Sequence, residues 1–324
     1  MSYDNLRLEK GMYTGDFTAN LEKIDPSENY RETPLAGLDA FERQLKRFDI
    51  HVSGPSSDRI DKFFQSSDSA VLFPEYMTRA IKQGMKDADV LSDIVATVTQ
   101  VDAPDYRPLA FANVDIHAMG AYPTVNEGAP ISAYEVKNGN SLVNLQKRGR
   151  VIKSSYEALR FHRLELFTVF LKQLGAQFAR ERFEDALAVL MDNPPSITRS
   201  GSNLTYGNLC NLWANMQPAN FSTLILNTSS IVSIFSQVIF QDSAVSFTIK
   251  GEPFTPFGAK MLTSPSMPAL NVLAVDKTCA LEMISAGDVL LETNKLIDHQ
   301  FEQIAVSSLV GFAKIMDYGR LLLA

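Results

Sequence analysis

The sequence has few of the residues and motifs on which catalytic and metal sites are built. Its 324 residues include only two cysteines and four histidines. No histidine pair has H-x-x-x-H or H-E-x-x-H spacing, and neither cysteine belongs to a C-x-x-C pair. Phosphate-binding loops, G-x-G-x-x-G and the G-x-S-x-G nucleophile elbow are also missing. We therefore expect no catalytic residue, no metal site and no cofactor, and a protein that is not an enzyme.

Long apolar runs and an excess of positive charge are missing as well. No stretch is apolar enough to span a bilayer, and the first residues, MSYDNLRLEKG, lack the apolar core of a signal peptide. The net charge is −7, whereas binding nucleic acid regardless of its sequence needs a cationic surface. Without a secretory signal we expect Cys210 and Cys279 to be reduced, with one disulfide between them as the alternative.

The composition that remains is typical of a folded protein. Apolar residues make up 45% and charged residues 21% of the chain, and its length fits one large domain or two to three smaller ones. Residues 1–70 are polar and broken by glycine and proline, apart from a helix predicted at Leu38–Phe48. This segment is typical of an extended arm, which we expect partner subunits to hold.

A long helix is predicted from about His162 to Met191, because one apolar stripe runs through it and prolines follow. Ser154 and Glu157 have the spacing of a capping box ahead of it. Residues 196–283 mix strand and helix signals, and the end of the chain returns to strands around Phe301–Met316. The pattern predicts an α+β fold.

The stretch Asn126–Lys153 reads as a hairpin arm with no core of its own. Asn138-Gly139 is a strong turn signal, although the tip could lie nearer Gly128. Because a two-stranded hairpin is marginal alone in water, we expect a partner to cover it. Val143 and Leu145 are predicted to face that partner.

The charged residues of this arm have several interpretations. Lys147, Arg148 and Arg150 are predicted to meet acidic groups of another subunit, with a solvated strand end and a nucleic-acid groove as alternatives. Glu127 and Lys137 complete the predicted contact set. Lys137 and Lys147 could also form an isopeptide bond to a neighbour, but lysines on an exposed arm are normally solvated.

The order of these parts resembles that of one protein family. LFPEYMTRAIKQGM precedes a hairpin that holds NEGAPI, VNLQKRGRVIKSSYEAL leads into the long helix, and the chain ends with GFAKIMDYGRLL and two further residues. In this order the sequence resembles the major capsid proteins of tailed bacteriophages. Their fold, of the Hong Kong-phage type, is shared with encapsulins and the herpesvirus shell floor. The resemblance covers essentially the whole chain, most sharply residues 71–192 and 270–324, and rests on patterns alone.

The resemblance implies a division of the chain into arm, loop and two domains. The N-terminal arm would be 1–70, the extended loop hairpin 111–153 and the axial domain 196–283. The peripheral domain would combine 71–110, 154–195 with its spine helix, and 284–324 with its terminal strands.

The resemblance also implies partners and a location. Hexamers and pentamers of this chain would build an icosahedral virion capsid in the cytoplasm of a host bacterium and enclose double-stranded DNA without reading its sequence. A portal protein is an implied partner, and a decoration protein is a further candidate. Many relatives carry a longer N-terminal scaffolding segment that is cut off, and only about seventy residues precede LFPE here. We therefore expect a separate scaffolding protein.

Two other functions stay open. An encapsulin-like compartment loaded with a cargo enzyme would share the fold, usually with a short N-terminal helix in place of this arm. An oligomeric cytosolic enzyme of the α+β class is the more distant alternative. It would need converging ionisable groups, such as a carboxylate pair, which sequence cannot place in space.

Overall fold

The computed structural model describes residues 3–8, 17–111, 124–129, 136–139, 142–155, 161–237, 256–296 and 301–324. They fall into two compact units, each assembled from separate stretches of the chain. Unit 1 takes Met1–Asp89, Gly149–Arg180 and Leu290–Ser307, and unit 2 takes Val90–Arg148, Glu181–Val289 and Ser308–Ala324. Both units contain helices and strands, which confirms the α+β class.

The α-helices of the described residues are α1 (Phe17–Ile24), α2 (Ala40–Arg47), α3 (Ser67–Ala70), α4 (Leu72–Asp87), α5 (Leu164–Leu190), α6 (Tyr206–Met216) and α7 (Thr228–Phe235). The helices predicted near Leu38–Phe48 and His162–Met191 are confirmed as α2 and α5. None of the helices in these ranges combines the length and the apolar character needed to cross a membrane.

The strands are β1 (Val95–Gln100), β2 (Asp105–Tyr106), β3 (Leu109–Phe111), β4 (Val136–Asn138), β5 (Val143–Asn144), β6 (Gln146–Ser155), β7 (Ser196–Ile197), β8 (Thr223–Leu226), β9 (Lys260–Thr263), β10 (Val272–Val275), β11 (Leu281–Ser285), β12 (Leu290–Leu296), β13 (Phe301–Lys314) and β14 (Arg320–Leu323). The long strand predicted around Phe301–Met316 is confirmed as β13.

In unit 1, the N-terminal segment packs on α4 of the same chain. Arg79 of α4 forms an ion pair with Asp39, the N-cap residue of α2, at 2.7 Å between Nη1 and Oδ2. Its guanidinium also lies 4.4 Å from the centre of the Phe41 ring. Phe17 and Leu21 of α1 are buried too. These helices therefore pack within their own subunit, and the expectation that partner subunits hold the arm stays a prediction.

Unit 1 also contains a crossing of α4 and α5 in backbone contact. A Cβ atom on Gly84 would lie 2.0 Å from the carbonyl oxygen of Lys172, and one on Gly175 would lie 2.1 Å from that of Ile81. Real Cβ atoms essentially never come closer than 3.0 Å to such neighbours. Both positions therefore require glycine.

Aromatic side chains fill the space beside this crossing. Phe73 stacks on Tyr76 and on Phe167, with ring centres 6.1 Å apart in both pairs. The Tyr76 hydroxyl donates to the carbonyl oxygen of Leu164 at 2.9 Å. Burial raises the pKa of this hydroxyl to about 12, so it stays a donor at neutral pH.

The predicted capping box is wrong. Ser154 lies in β6, which pairs with β13, and α5 begins ten residues later at Leu164. Glu157 lies outside the described residues. The backbone of β6 has strand partners in β13, and these long-range bonds override the local helix signal at Ser154.

In unit 2, a five-stranded sheet has the order β7-β14-β10-β8-β9. Strand β10 runs antiparallel to β8 and β14, while β7 and β9 attach in parallel. All residues of β8, β10 and β14 are buried, which matches their nearly continuous apolar sequences TLIL, VLAV and RLLL.

Arg320 of β14 is a polar residue in this buried sheet. Its side chain caps the C-terminal end of α5. Its side chain is buried and donates to the carbonyl oxygens of Leu190 and Asp192 at 2.6 and 3.1 Å. It also forms an ion pair with Asp317 at 2.9 Å. Arg320 thereby satisfies carbonyl groups that a helix end leaves without partners.

The remaining strands pair around β13. In unit 2, β1 runs parallel to β11, and β11 runs antiparallel to Val310–Lys314 of β13. In unit 1, β12 runs antiparallel to Phe301–Ser307 of the same strand.

Candidate assembly arm and exposed surfaces

The hairpin arm leaves unit 2 through two short antiparallel ladders. Strand β2 pairs with β5, and β3 pairs with β4. The outgoing side of the arm therefore begins at Asp105.

The turn predicted at Asn138-Gly139 is not the tip. Asn138 is paired with Leu109 in the ladder, and the Gly139 amide donates to the carbonyl oxygen of Pro108 at 2.8 Å. A turn occurs instead at Gly128, the alternative position, where φ is 81° and the Ala129 amide donates to Asn126. Asn-Gly favours tight turns, but here the ladder fixes the backbone.

Apolar packing fixes the root of the arm to its own subunit. Leu145 is buried in a cluster with Ile284 and Ala313, and Val143 packs against the same cluster. The approach is close, because a Cβ atom on Gly311 would lie 3.1 Å from Val143 Cγ1. These two predicted contact residues therefore contribute to the subunit's own core.

Arg148 and Arg150, too, have partners within the chain. The Arg148 guanidinium donates to both carboxylate oxygens of Asp185 in α5. This hydrogen bonding raises the pKa of Arg148 above its ordinary value. Arg150 donates to Gln177 Oε1 at 3.2 Å. Strand β6 is thus tied by polar contacts to the helix that follows it.

Two of the other predicted contact residues are exposed on the arm. Glu127 at the turn and Lys147 in β6 are exposed. Lys137 pairs through its backbone with Ala110, and its side chain lies outside the described part.

A buried carboxylate also stands at the root of the arm. Glu282 of β11 accepts a hydrogen bond from Thr99 Oγ1 at 2.5 Å and another from the Tyr106 hydroxyl at 3.2 Å. Burial and the negative charge of Glu282 raise the pKa of Tyr106. Thr99 lies in the last strand before the arm and Tyr106 in its first strand.

Several exposed apolar side chains mark candidate contact surfaces. On the arm these are Leu109, Val125 and Leu142. On unit 1, Leu166 and Phe170 of α5 share one helix face by their four-residue spacing, and both are exposed. Exposed apolar patches of this kind mark interaction sites on many soluble proteins.

Unit 2 also contains a long stretch of sequence without charged residues. No Asp, Glu, Lys, Arg or His occurs between Arg199 and Asp242. Trp213 stacks on Phe257 with ring centres 5.3 Å apart, and both rings are partly exposed. Phe257 has a φ of 54°, a strained conformation for a bulky residue.

Cys279 is poorly suited to nucleophilic chemistry. Burial, with the carboxylate of Asp276 adding to it, raises the pKa of the Cys279 thiol to about 11. Within the described ranges, no group of three or more His, Cys, Asp or Glu side chains is arranged to hold a metal ion.

Comparisons with known proteins by sequence and by structure give different results. No family model matches the sequence, and no curated protein matches it. Solved structures do match. One is the crystal structure of a virus-like particle from Pyrococcus furiosus, at 12% identity and a TM-score of 0.52, with 77% of this chain and 98% of that chain covered. Another is the capsid of a native GTA particle, at 12% identity and a TM-score of 0.55, with 75% of this chain and 89% of that chain covered. The chain has the capsid fold.

The capsid of an empty GTA particle gives the same result, at 15% identity and a TM-score of 0.51, with 71% and 87% covered. The capsid fold predicted from the order of segments is thereby confirmed. The sequence did not single out Thr99, Tyr106 or Glu282. No local signal marks them, because Glu282 meets residues 183 and 176 positions away.

Proposed function

We propose that this chain is the major capsid protein of a tailed bacteriophage. Its copies assemble as hexamers and pentamers into an icosahedral head that encloses double-stranded DNA. The observation that carries the proposal is the capsid fold, which covers 98% of the matched virus-like particle chain. The structural matches are shell proteins, and this supports a structural role in place of an enzymatic one.

The hairpin arm is the part of the chain that we expect to connect neighbouring subunits. A two-stranded hairpin is marginal alone, and the turn around Gly128 is exposed in the subunit. Stable protein interfaces bury roughly 1,200–2,000 Å² in total, and an arm laid across a neighbour could supply a large share of that area. A closed shell repeats the contact many times, so each one can be weak.

We assign the predicted contact residues two roles. Glu127, Lys137 and Lys147 would contact the neighbouring copy. Val143, Leu145, Arg148 and Arg150 would instead set the arm on its own subunit, consistent with their contacts there.

We also propose the division into N-terminal arm, extended loop, peripheral domain and axial domain given above. A separate scaffolding protein, a portal protein and a decoration protein are the proposed partners, and the host cytoplasm is the proposed place of assembly. A net charge of −7 suits a shell protein that should bind packaged DNA only weakly, because both carry negative charge.

Electron microscopy of the purified protein, alone and with its candidate scaffold, tests the proposal. We expect closed icosahedral particles, and extraction of native particles should yield double-stranded DNA. A small oligomer without shells under every condition would contradict shell formation. Shells that hold a protein cargo and no DNA would favour the encapsulin-like compartment.

A further inference from the structure

Glu282 occupies a place where a carboxylate is costly. It is the second residue of β11 and is only 8% exposed. Its hydrogen-bond donors, Thr99 and Tyr106, are neutral hydroxyls. No cation among the described side chains forms an ion pair with it. Burying a carboxylate without a cationic partner is unfavourable unless hydrogen bonds compensate for the lost water, so the two hydroxyl donors are needed where this residue stands.

The two donors stand on either side of a corner in the chain. Strand β1 ends at Gln100 and β2 begins at Asp105, so the chain passes from the sheet into the arm within four residues. Thr99 precedes the corner and Tyr106 follows it. Both hydroxyls donate to the same oxygen, Oε1 of Glu282. The carboxylate therefore connects the residues on the two sides of the corner.

Other contacts hold the same corner as well. The Val101 amide donates to Ser285 at 3.0 Å, and the Leu145 amide donates to Pro104 at 3.0 Å. The apolar cluster around Leu145 adds packing, which is not directional. The hydrogen bonds of Glu282 are directional and connect the arm to the sheet strand β11.

We propose that Glu282 is the positioning residue of the assembly arm, and that its bonds to Thr99 and Tyr106 set the direction in which the arm leaves the subunit. This inference rests on the proposed shell function. An extended strand rises about 3.3 Å per residue, so Phe111 is already roughly 16 Å from Tyr106 along the arm. A tilt of roughly 10° at the root would move that point by about 3 Å, and interface geometry tolerates much less.

Three variants test the role of the hydrogen bonds that Glu282 accepts from Thr99 and Tyr106. Glu282→Leu removes the acceptor at similar volume, and Tyr106→Phe and Thr99→Val each remove one donor. Tyr318→Phe, a hydroxyl deletion elsewhere in unit 2, is the control. We expect each test variant to melt within a few degrees of the wild type. The concentration needed for assembly should rise at least tenfold, with open or irregular particles in micrographs.

Hydrogen exchange on unassembled subunits adds a direct readout. The Gly139 and Leu145 amides, which pair across the arm root, should exchange faster in Tyr106→Phe than in the control. If Glu282→Leu fails to fold, the two hydroxyl variants decide.

The outcomes separate the inference from the proposed function. A wild-type protein that forms no shells would overturn the function. A wild type that forms shells, with Tyr106→Phe and Thr99→Val closing normal shells at the same concentration, would overturn the role of Glu282. Lowered melting temperature with normal assembly would likewise assign Glu282 to subunit stability alone.

Discussion

The glycine crossing of α4 and α5 allows a sharp prediction about subunit stability. In Gly84→Ala the new Cβ atom would lie 2.0 Å from a backbone oxygen, although such atoms essentially never approach below 3.0 Å. The obstacle is the backbone of Lys172, which cannot rotate away as a side-chain tip could. The two helices must therefore separate by about 1 Å, and a gap of that size forfeits a quarter to a half of each dispersion contact.

The magnitude follows from two opposing effects. Replacing glycine by alanine inside a helix normally stabilises it by about 1 kcal/mol. Overpacking costs typically about 1–3 kcal/mol, and we expect the upper end because backbone is involved. The free energy of unfolding should therefore fall by about 2 kcal/mol, a drop in melting temperature of roughly 3 °C for a chain of this length. Gly175→Ala should behave alike, since its Cβ atom would lie 2.1 Å from the Ile81 carbonyl oxygen.

Thermal and urea unfolding of the unassembled subunit provide the assay. Gly207→Ala is the matched control, because a Cβ atom on this helical glycine would have its nearest neighbour at an ordinary 3.8 Å. We expect the control to equal or exceed the wild type in stability. The close-contact reasoning is refuted if Gly84→Ala and Gly175→Ala are as stable as the control.

Three further predictions concern other parts of the chain. Arg320→Met should lower the free energy of unfolding by about 3 kcal/mol or more, because buried carbonyl groups lose their hydrogen-bond donor. Urea titration measures this change, and the control Lys314→Met, which removes an exposed ion pair, should cost less than about 1 kcal/mol. Cys279, with its pKa raised to about 11, should alkylate at pH 8 roughly 100-fold more slowly than in the unfolded chain, because the thiolate fraction falls tenfold per unit of pKa; equal rates, followed by mass spectrometry, would contradict the burial. Deleting Asn126–Asn140 should leave a folded subunit that closes no normal shells in micrographs, and normal assembly of that variant would disprove the role of the arm.

Much of the secondary structure could be predicted, because periodicity is a local property. The apolar stripe predicted α5 from about His162 to Met191, within two residues of its observed ends at Leu164 and Leu190. The long strand predicted around Phe301–Met316 likewise matches β13, Phe301–Lys314. The failures were local signals overruled by distant partners: Ser154 has capping-box spacing but lies in a strand, and Asn138-Gly139 favours a turn but lies at a ladder.

The roles of individual site residues were harder to predict. Arg148 was assigned to a neighbour because sequence does not reveal Asp185, 37 positions away, as its partner. Helix α6 was missed because it lacks the charged face that marks most surface helices, even though Leu209, Leu212 and Met216 follow helical spacing.

The uncharged stretch between Arg199 and Asp242 has a practical consequence. It lacks every residue type whose charge changes between acidic and neutral pH. Contacts made through its exposed side chains would therefore respond little to acidification or to screening by dilute salt. They would strengthen in sulfate or phosphate at high concentration, because such salts promote burial of apolar surface. Trp213, the chain's single tryptophan, lies in this stretch, so its fluorescence can report those contacts separately from the rest of the molecule.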